Sequence, residues 1–242
     1  PLVSNPGICD YLTGLYAMWA ALMGVYHAQK TGEGDVIDVS QYESCLRVQG
    51  YGPLMYTTTG EQLKRTGNKE ATYAGIDVFE CKDGNYCVVQ VSGRPAAKAI
   101  AALLGLDDEE HFIEGRPTLN GTPQGDRLDG AIKAFCLERM PDEVETQLKA
   151  IGVACAPINN YEMLMSNPHV IARNDFVEWY DEASEQTLKG VAVLPPVKNN
   201  PGQIWRGAPK LGQDNEDILE ELGYSNEEIE AMYAEGKIGK AE

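Results

Sequence analysis

This sequence has no cluster of basic residues, no metal-binding spacing and no second long apolar run. Lys and Arg total 20 against 37 Asp and Glu, a formal charge of −17. Such a balance repels phosphate backbones and anionic lipid surfaces, which argues against nucleic-acid and membrane partners. With three histidines and no C-x-x-C, no zinc pattern can be composed, and no metal is expected. Internal repeats and low-complexity segments are also missing, and 43% hydrophobic with 24% charged residues marks an ordinary globular chain. The opening Pro1-Leu2-Val3-Ser4-Asn5-Pro6-Gly7 has neither an initiator Met nor the basic start of a secretory leader, and reads as the interior of a longer protein.

Six cysteines are present: Cys9, Cys45, Cys81, Cys87, Cys136 and Cys155. Their apolar surroundings suit buried or half-buried free thiols in a reducing cytoplasm. Cys81 and Cys87 flank a predicted turn and are spaced to face each other across two strands. One stretch, Tyr11 to Gln29, carries no charged residue over 19 positions. It is barely long enough to span a bilayer and is diluted by Thr13, Gly14, Gly24, His27 and Gln29, so a helix buried on all sides fits it better. On that helix Trp19 reads as core and His27 as a packed residue. His111 and His169 have no partner visible in sequence.

Periodicity and breakers predict a helix from Asp10 to Lys30, capped by Asp10 and stopped by Thr31-Gly32-Glu33-Gly34. A β-branched strand at Asp35–Val39 and a helix over about 41–55 follow. Two strands, Gly75 to Cys81 and Tyr86 to Val91, are joined by Lys82-Asp83-Gly84-Asn85, a hairpin signal. A helix is predicted over Ala96–Leu106, a surface loop over 107–126, and helices near Leu128–Glu138 and Asp142–Ile151. Further on come a strand at Val153–Pro157, helical segments at Tyr161–Met165 and Pro168–Asn174, and a strand over Leu188–Leu194. The tail is extended to Asp214, where Trp205 beside Arg206 is placed to stack or to pack at an interface. Two short helices end the chain, the second opening with a Ser225/Glu228 capping box. The fold class is α/β.

Three strings, in this order, resemble the family III (CaiB/BaiF type) CoA-transferases. They are Cys9-Asp10-Tyr11-Leu12-Thr13-Gly14 with Thr31-Gly32-Glu33-Gly34-Asp35-Val36-Ile37-Asp38-Val39, then Arg65-Thr66-Gly67-Asn68 before the hairpin, and Gly212-Gln213-Asp214-Asn215 near the end. Tyr73-Ala74-Gly75 and the run from Asn199 to Gly207 look like the carnitine branch. Arg65–Lys69 and Gly207-Ala208-Pro209 look at least as much like the bile-acid enzymes.

The resemblance implies part of a Rossmann-like large domain (1–64), a smaller α/β domain (65–180), a return to the large domain (181–242) and an interlocked homodimer. It implies a cytoplasmic enzyme that moves coenzyme A between carboxylic acids, foremost carnitine- or crotonobetaine-type acids, with the acyl-CoA thioester as substrate and no further cofactor. It makes Asp10 the nucleophile, although by itself Asp10 reads as a helix cap. It places 69–75 as a mobile loop over the site, with Tyr73, Ala74 and Gly75 at the substrate and Tyr73 facing a quaternary ammonium; read without it, this is a surface connector. Most CoA contacts would lie in a preceding segment, possessed as a separate piece or not at all. A racemase on the same fold would need a His upstream of Pro1.

Overall fold

The computed structural model describes residues 7–239; residues 1–6, and with them most of the opening read as the interior of a longer protein, lie outside the described residues, as do 240–242. The described chain forms two compact units, divided between Ala156 and Pro157. The sequence placed its boundaries at 64/65 and 180/181.

The first unit opens with helix α1 (Ile8–Thr31), which ends where Gly32 takes a left-handed φ of 78° and returns its amide to the Ala28 carbonyl. The N-cap is Gly7, so Asp10 is the third residue of the first turn and not the cap; its carboxylate is engaged elsewhere. Contrary to the expectation of a helix buried all round, α1 has no buried residue, Trp19 is 60% exposed and His27 is exposed. The described residues cover only part of its surface, chiefly through the segment after Gly32 and helix α2 (Gln41–Arg47). By length and composition alone α1 could also cross a bilayer.

Asp35–Val39, expected as a strand, has no strand partner among the described residues. The predicted helix over 41–55 divides into α2 and α3 (Gly52–Thr59), because Gly50 sits at φ 63° between them and Pro53 starts the second. Ser40 caps α2, its hydroxyl oxygen accepting the Glu43 amide at 3.2 Å.

The hairpin forms as predicted, with β1 (Ile76–Glu80) antiparallel to β2 (Tyr86–Gln90) and Val78 opposite Val88. Gly84 supplies the positive φ of the turn, and the Asp83 carboxylate accepts the Asn85 amide at 3.1 Å. Helices α4 (Gly93–Leu103), α5 (Glu110–Ile113), α6 (Pro123–Leu137) and α7 (Pro141–Ala150) follow, and β3 (Ala154–Pro157) pairs beside β2. The 107–126 stretch is not one surface loop: α5 interrupts it and buries Phe112. Ile100, Ile132, Val144, Leu148, Val89 and Val153 are each at most 1% exposed and form the centre of one core.

Four thiols share this core. Cys81 and Cys87 face each other with Sγ atoms 3.6 Å apart, as their spacing implied, and remain free. Burial pushes the Cys136 thiol up to about 12 and the Cys155 thiol to about 11, and it raises Cys81 and Cys87 as well. Cys9, by contrast, is exposed, not half-buried, because α2 covers the first turn of α1 only in part. The thiolate is the nucleophile, so N-ethylmaleimide at pH 8 should modify Cys9 first and the four core thiols only after unfolding. Peptide mass mapping checks this; core adducts forming as fast as the Cys9 adduct would contradict the packing.

In the second unit, Asn160 and Asn167 cap α8 (Tyr161–Ser166) and α9 (Pro168–Arg173). A two-stranded sheet pairs β4 (Phe176–Asp181) with β5 (Gln186–Val191), Trp179 opposite Leu188. The predicted 188–194 strand thus starts earlier and ends at Val191, and its partner β4 was not predicted. Buried Asp181 accepts from the Ser184 hydroxyl at 2.6 Å, the Ser184 amide at 3.0 Å and the Ala208 amide at 2.8 Å, and these bonds hold its carboxyl below the usual range. Arg206 lies 4.6 Å over the Trp205 ring and grips Asp214 with two 2.8 Å bonds, so the predicted stacking occurs. Helix α10 (Asn215–Glu221) and helix α11 (Asn226–Ala234) close the unit, the latter with the predicted Ser225/Glu228 box.

Candidate active site

Asp10 lies exposed in the first turn of α1. Gln41, first residue of α2, donates from Nε2 to Asp10 Oδ1. A Cβ at Gly7 would collide with Asp10 Oδ2, so glycine there leaves room for the second oxygen. One turn after Gln41, Cys45 places its sulfur 2.9 Å from that of Cys9. The same face of α2 therefore meets two adjacent residues of α1, and the carboxylate is anchored through one oxygen. Tyr11, Gly14, Leu15 and Met18 run along α1 beside it as an apolar strip. A carboxylate held at one oxygen beside hydrocarbon can attack a carbonyl carbon with the other.

The 69–75 segment is tied down at nearly every residue. The Glu70 carboxylate accepts the amides of Thr72 and Tyr73, and the Glu70 carbonyl accepts from Asn120 Nδ2 at 2.7 Å. The Ala74 amide reaches the Thr118 carbonyl at 3.0 Å, and the Gly75 amide reaches Asp129 Oδ1 at 2.7 Å. Asp129 also pairs with Lys69. Gly75 has φ 78°, and a Cβ there would press on Val91 and Leu128, so this position requires glycine. Ala74 is buried, while Tyr73 is 44% exposed.

Tyr73 and Ala74 line a cavity of about 480 Å³, together with Ile76, Val91, Arg94, Arg116, Thr118 and Leu128. Gly75 packs against its wall through Val91 and Leu128. His111, which showed no partner in sequence, contacts the Thr118 hydroxyl through Nε2 at 3.0 Å and meets Phe112 edge-on. Arg116 donates to Glu114 at 2.6 Å, and that bond, reinforced by Arg94 and Lys98, lowers the Glu114 carboxyl below its ordinary value. No cluster of cations was visible in sequence, yet folding gathers Arg94, Lys98 and Arg116 around one carboxylate. Arg94 itself has no ion pair or side-chain hydrogen bond among the described residues. Among those residues, no three His, Cys, Asp or Glu side chains are placed to hold a metal.

Sequence alone singled out Asp10, Tyr73, Ala74 and Gly75 but not Gln41, Arg94 or Arg116. The structure brings Tyr73 and Ala74 to one cavity and gives Asp10 a separate setting on α1 and α2. Gln41 stands 31 residues from Asp10, and no local pattern marks it.

Comparison with known proteins gives the family. The profile of CoA-transferase family III matches residues 1–215. The bile acid CoA-transferase BaiK of Clostridium scindens is 35% identical over 239 residues, which are 96% of this chain and 54% of the relative. The chain thus spans about half the length of the curated relative it matches. A CaiB/BaiF family protein from Brucella suis superposes with a TM-score of 0.70 at 22% identity, covering 92% of this chain and 57% of that one. Rv3272 from Mycobacterium tuberculosis gives 0.68 at 17% identity, covering 89% and 56%. With a mixed α/β fold like theirs and the family profile running through nearly all of its length, the chain belongs to CoA-transferase family III.

Proposed function

We propose that this chain carries the covalent step of CoA transfer between carboxylic acids, with Asp10 as the nucleophile. The observation that supports this most is the anchoring of Asp10 through Oδ1 alone, at the start of α1. In the reaction, Asp10 attacks the thioester carbonyl of an acyl-CoA, giving a mixed anhydride and the CoA thiolate. The thiolate attacks the aspartyl carbonyl, forming an aspartyl-CoA thioester and freeing the donor acid. The acceptor carboxylate then attacks this thioester, and the released thiolate takes the acceptor acyl group and restores Asp10. One thioester is exchanged for another, so the net driving force is small.

The Rossmann-like surroundings, the interlocked homodimer and the cytoplasmic setting belong to this proposal through the family resemblance, as does the absence of any cofactor beyond the CoA substrate. Two substrate classes compete. The resemblance pointed to carnitine-type acids, whereas the identity with a bile-acid enzyme and the cations lining the cavity favour an apolar acid. The test is to incubate the protein with acyl-CoA, quench in acid, digest and weigh the peptides. A CoA thioester on the peptide containing Asp10 is expected. Proton exchange at the acyl α-carbon without an acceptor acid, and without that adduct, would favour a racemase and end the transferase proposal.

Gln41 should act as a positioning residue. Gln41→Ala frees the carboxylate to rotate and is expected to lower kcat about 10- to 100-fold, the scale of a lost charge-assisted hydrogen bond. The KM for acyl-CoA should change little, since Gln41 holds the nucleophile and not the substrate. Steady-state kinetics of both parameters check this; an unchanged kcat would remove Gln41 from the mechanism.

A further inference from the structure

We propose that the cavity behind Tyr73 binds a monocarboxylic acid with a bulky apolar body, its carboxylate on Arg94 and its hydrocarbon against Ile76, Val91 and Leu128. Asp10 does not line this cavity; that the cavity serves the acid substrate of the enzyme rests on the CoA-transfer function proposed above and on delivery of the carboxylate to Asp10, whereas its binding of such an acid does not.

Shape supports the first half of the inference. The volume of about 480 Å³ is that of a small-molecule site, and its walls are largely hydrocarbon, from Ala74 at the floor to Leu128 on α6. The floor is fixed, because the bonds from Thr118 and Asp129 hold the 74–75 backbone in place. Binding there costs little reordering of the protein.

Charge supports the second half. Arg94 and Arg116 line the cavity, and no Asp or Glu does. Arg116 is largely spent on Glu114, at 2.6 Å, with Glu110 at 3.7 Å. Arg94 acts on Glu114 only at longer range and makes no hydrogen bond or ion pair of this kind among the described residues, in a chain whose formal charge of −17 makes such cations scarce. Its stem runs beside Gly115, where an added Cβ would meet Arg94 Cγ at 3.0 Å, so the guanidinium is carried along the cavity wall. A guanidinium beside hydrocarbon walls binds a carboxylate more strongly than one in open water, because fewer solvent dipoles screen the pair.

The same charges select against other ligands. The quaternary ammonium of a carnitine-type acid would face two guanidinium groups, with only the Tyr73 ring in its favour, and a cation–π contact is a weak return for that repulsion. The polyphosphate of CoA would need several free cations, where the cavity offers one.

The experiment is calorimetric titration of the purified protein with deoxycholate, a steroid monocarboxylate, kept below its micellar concentration. Its uncharged methyl ester, L-carnitine and CoA serve as comparison probes, and CoA transfer to deoxycholate is assayed alongside. Deoxycholate should bind, and Arg94→Gln should weaken it about 10- to 100-fold, as loss of a charge-assisted pair does. The same variant should leave the weaker binding of the methyl ester unchanged. Ala97→Trp, which fills the cavity from α4, should weaken both. Equal affinity of the Arg94→Gln variant and the parent for deoxycholate, or displacement by CoA or carnitine, would overturn the site. Arg94-dependent binding in a protein that transfers no CoA would keep the site and remove the transferase proposal. Transfer to deoxycholate that neither variant affects would do the reverse.

Discussion

The Asp10→Asn variant is expected to lose CoA exchange by a factor on the order of 10⁴, while folding as the parent does. The loss follows from chemistry: a carboxamide is too weak a nucleophile to displace a thiolate from a thioester, so neither the anhydride nor the aspartyl thioester forms. Folding is spared because Asp10 is exposed and its hydrogen-bond partner among the described residues is Gln41, whose Nε2 can still donate, more weakly, to an asparagine carbonyl. A surface change of this kind typically alters stability by less than about 0.5 kcal/mol. Asp10→Glu retains the carboxylate but moves it by one methylene, and a misplacement of about 1 Å costs roughly 10²-fold. The two variants therefore form a series, with Glu between parent and Asn. Rates are followed by separating the CoA esters, and intact mass verifies that the asparagine has not deamidated back to aspartate. An Asn variant that still exchanged CoA within a few-fold of the parent would remove Asp10 as nucleophile.

Local chemistry made much of the fold legible. The Asp83-Gly84 turn between alternating apolar runs specified the β1–β2 hairpin, and with it the facing of Cys81 and Cys87. Gly32 specified the end of α1, and Ser225 with Glu228 the start of α11. The failures have one common cause: each depended on what lies opposite in space. The apolar pattern of α1 states that the helix requires covering on every face, but not which residues supply the cover, and the described ones supply little. Asp35–Val39 has the composition of a strand and no neighbour to pair with among the described residues. The reverse happened at Phe176–Asp181, where mixed polar and aromatic residues gave no clear alternation and the strand exists because β5 pairs with it.

The site divides in the same way. Asp10, Tyr73 and Ala74 could be singled out as candidates because short strings carry them. Gln41 was not, since glutamine at the start of a helix is commonplace and its significance lies in meeting Asp10. Arg94, Lys98 and Arg116 form no basic cluster in sequence. They converge because α4 carries the first two, and the turn at Gly115, whose φ of 64° only glycine takes readily, brings the third back toward them. That convergence matters for function more than the net charge does: a chain can repel polyanions at long range and still hold one carboxylate in a cavity.

All of these positions depend on the core beneath them, so the second large effect is expected at Ile132. This side chain is 1% exposed on α6, the helix that packs on β1 and whose Leu128 forms part of the cavity wall. Ile132→Ala removes buried methyl groups where surrounding helices and sheet cannot collapse far, and a loss of about 2–5 kcal/mol is expected. Against a total of roughly 5–15 kcal/mol for a domain, that is a large fraction. Ile132→Val, which removes one methyl group, should cost only about 1 kcal/mol. Because the chain has two compact units, a single global melting curve would mix their transitions. Cys136 offers a local probe: it lies one turn further along α6, is fully buried and becomes reactive only when this core opens. Where opening and closing are fast relative to labelling, the alkylation rate of Cys136 follows the population of the open state, so Ile132→Ala should raise it by about 1.5 to 3.5 orders of magnitude. A Cys136 labelling rate unchanged by Ile132→Ala would mean that α6 does not seal this core.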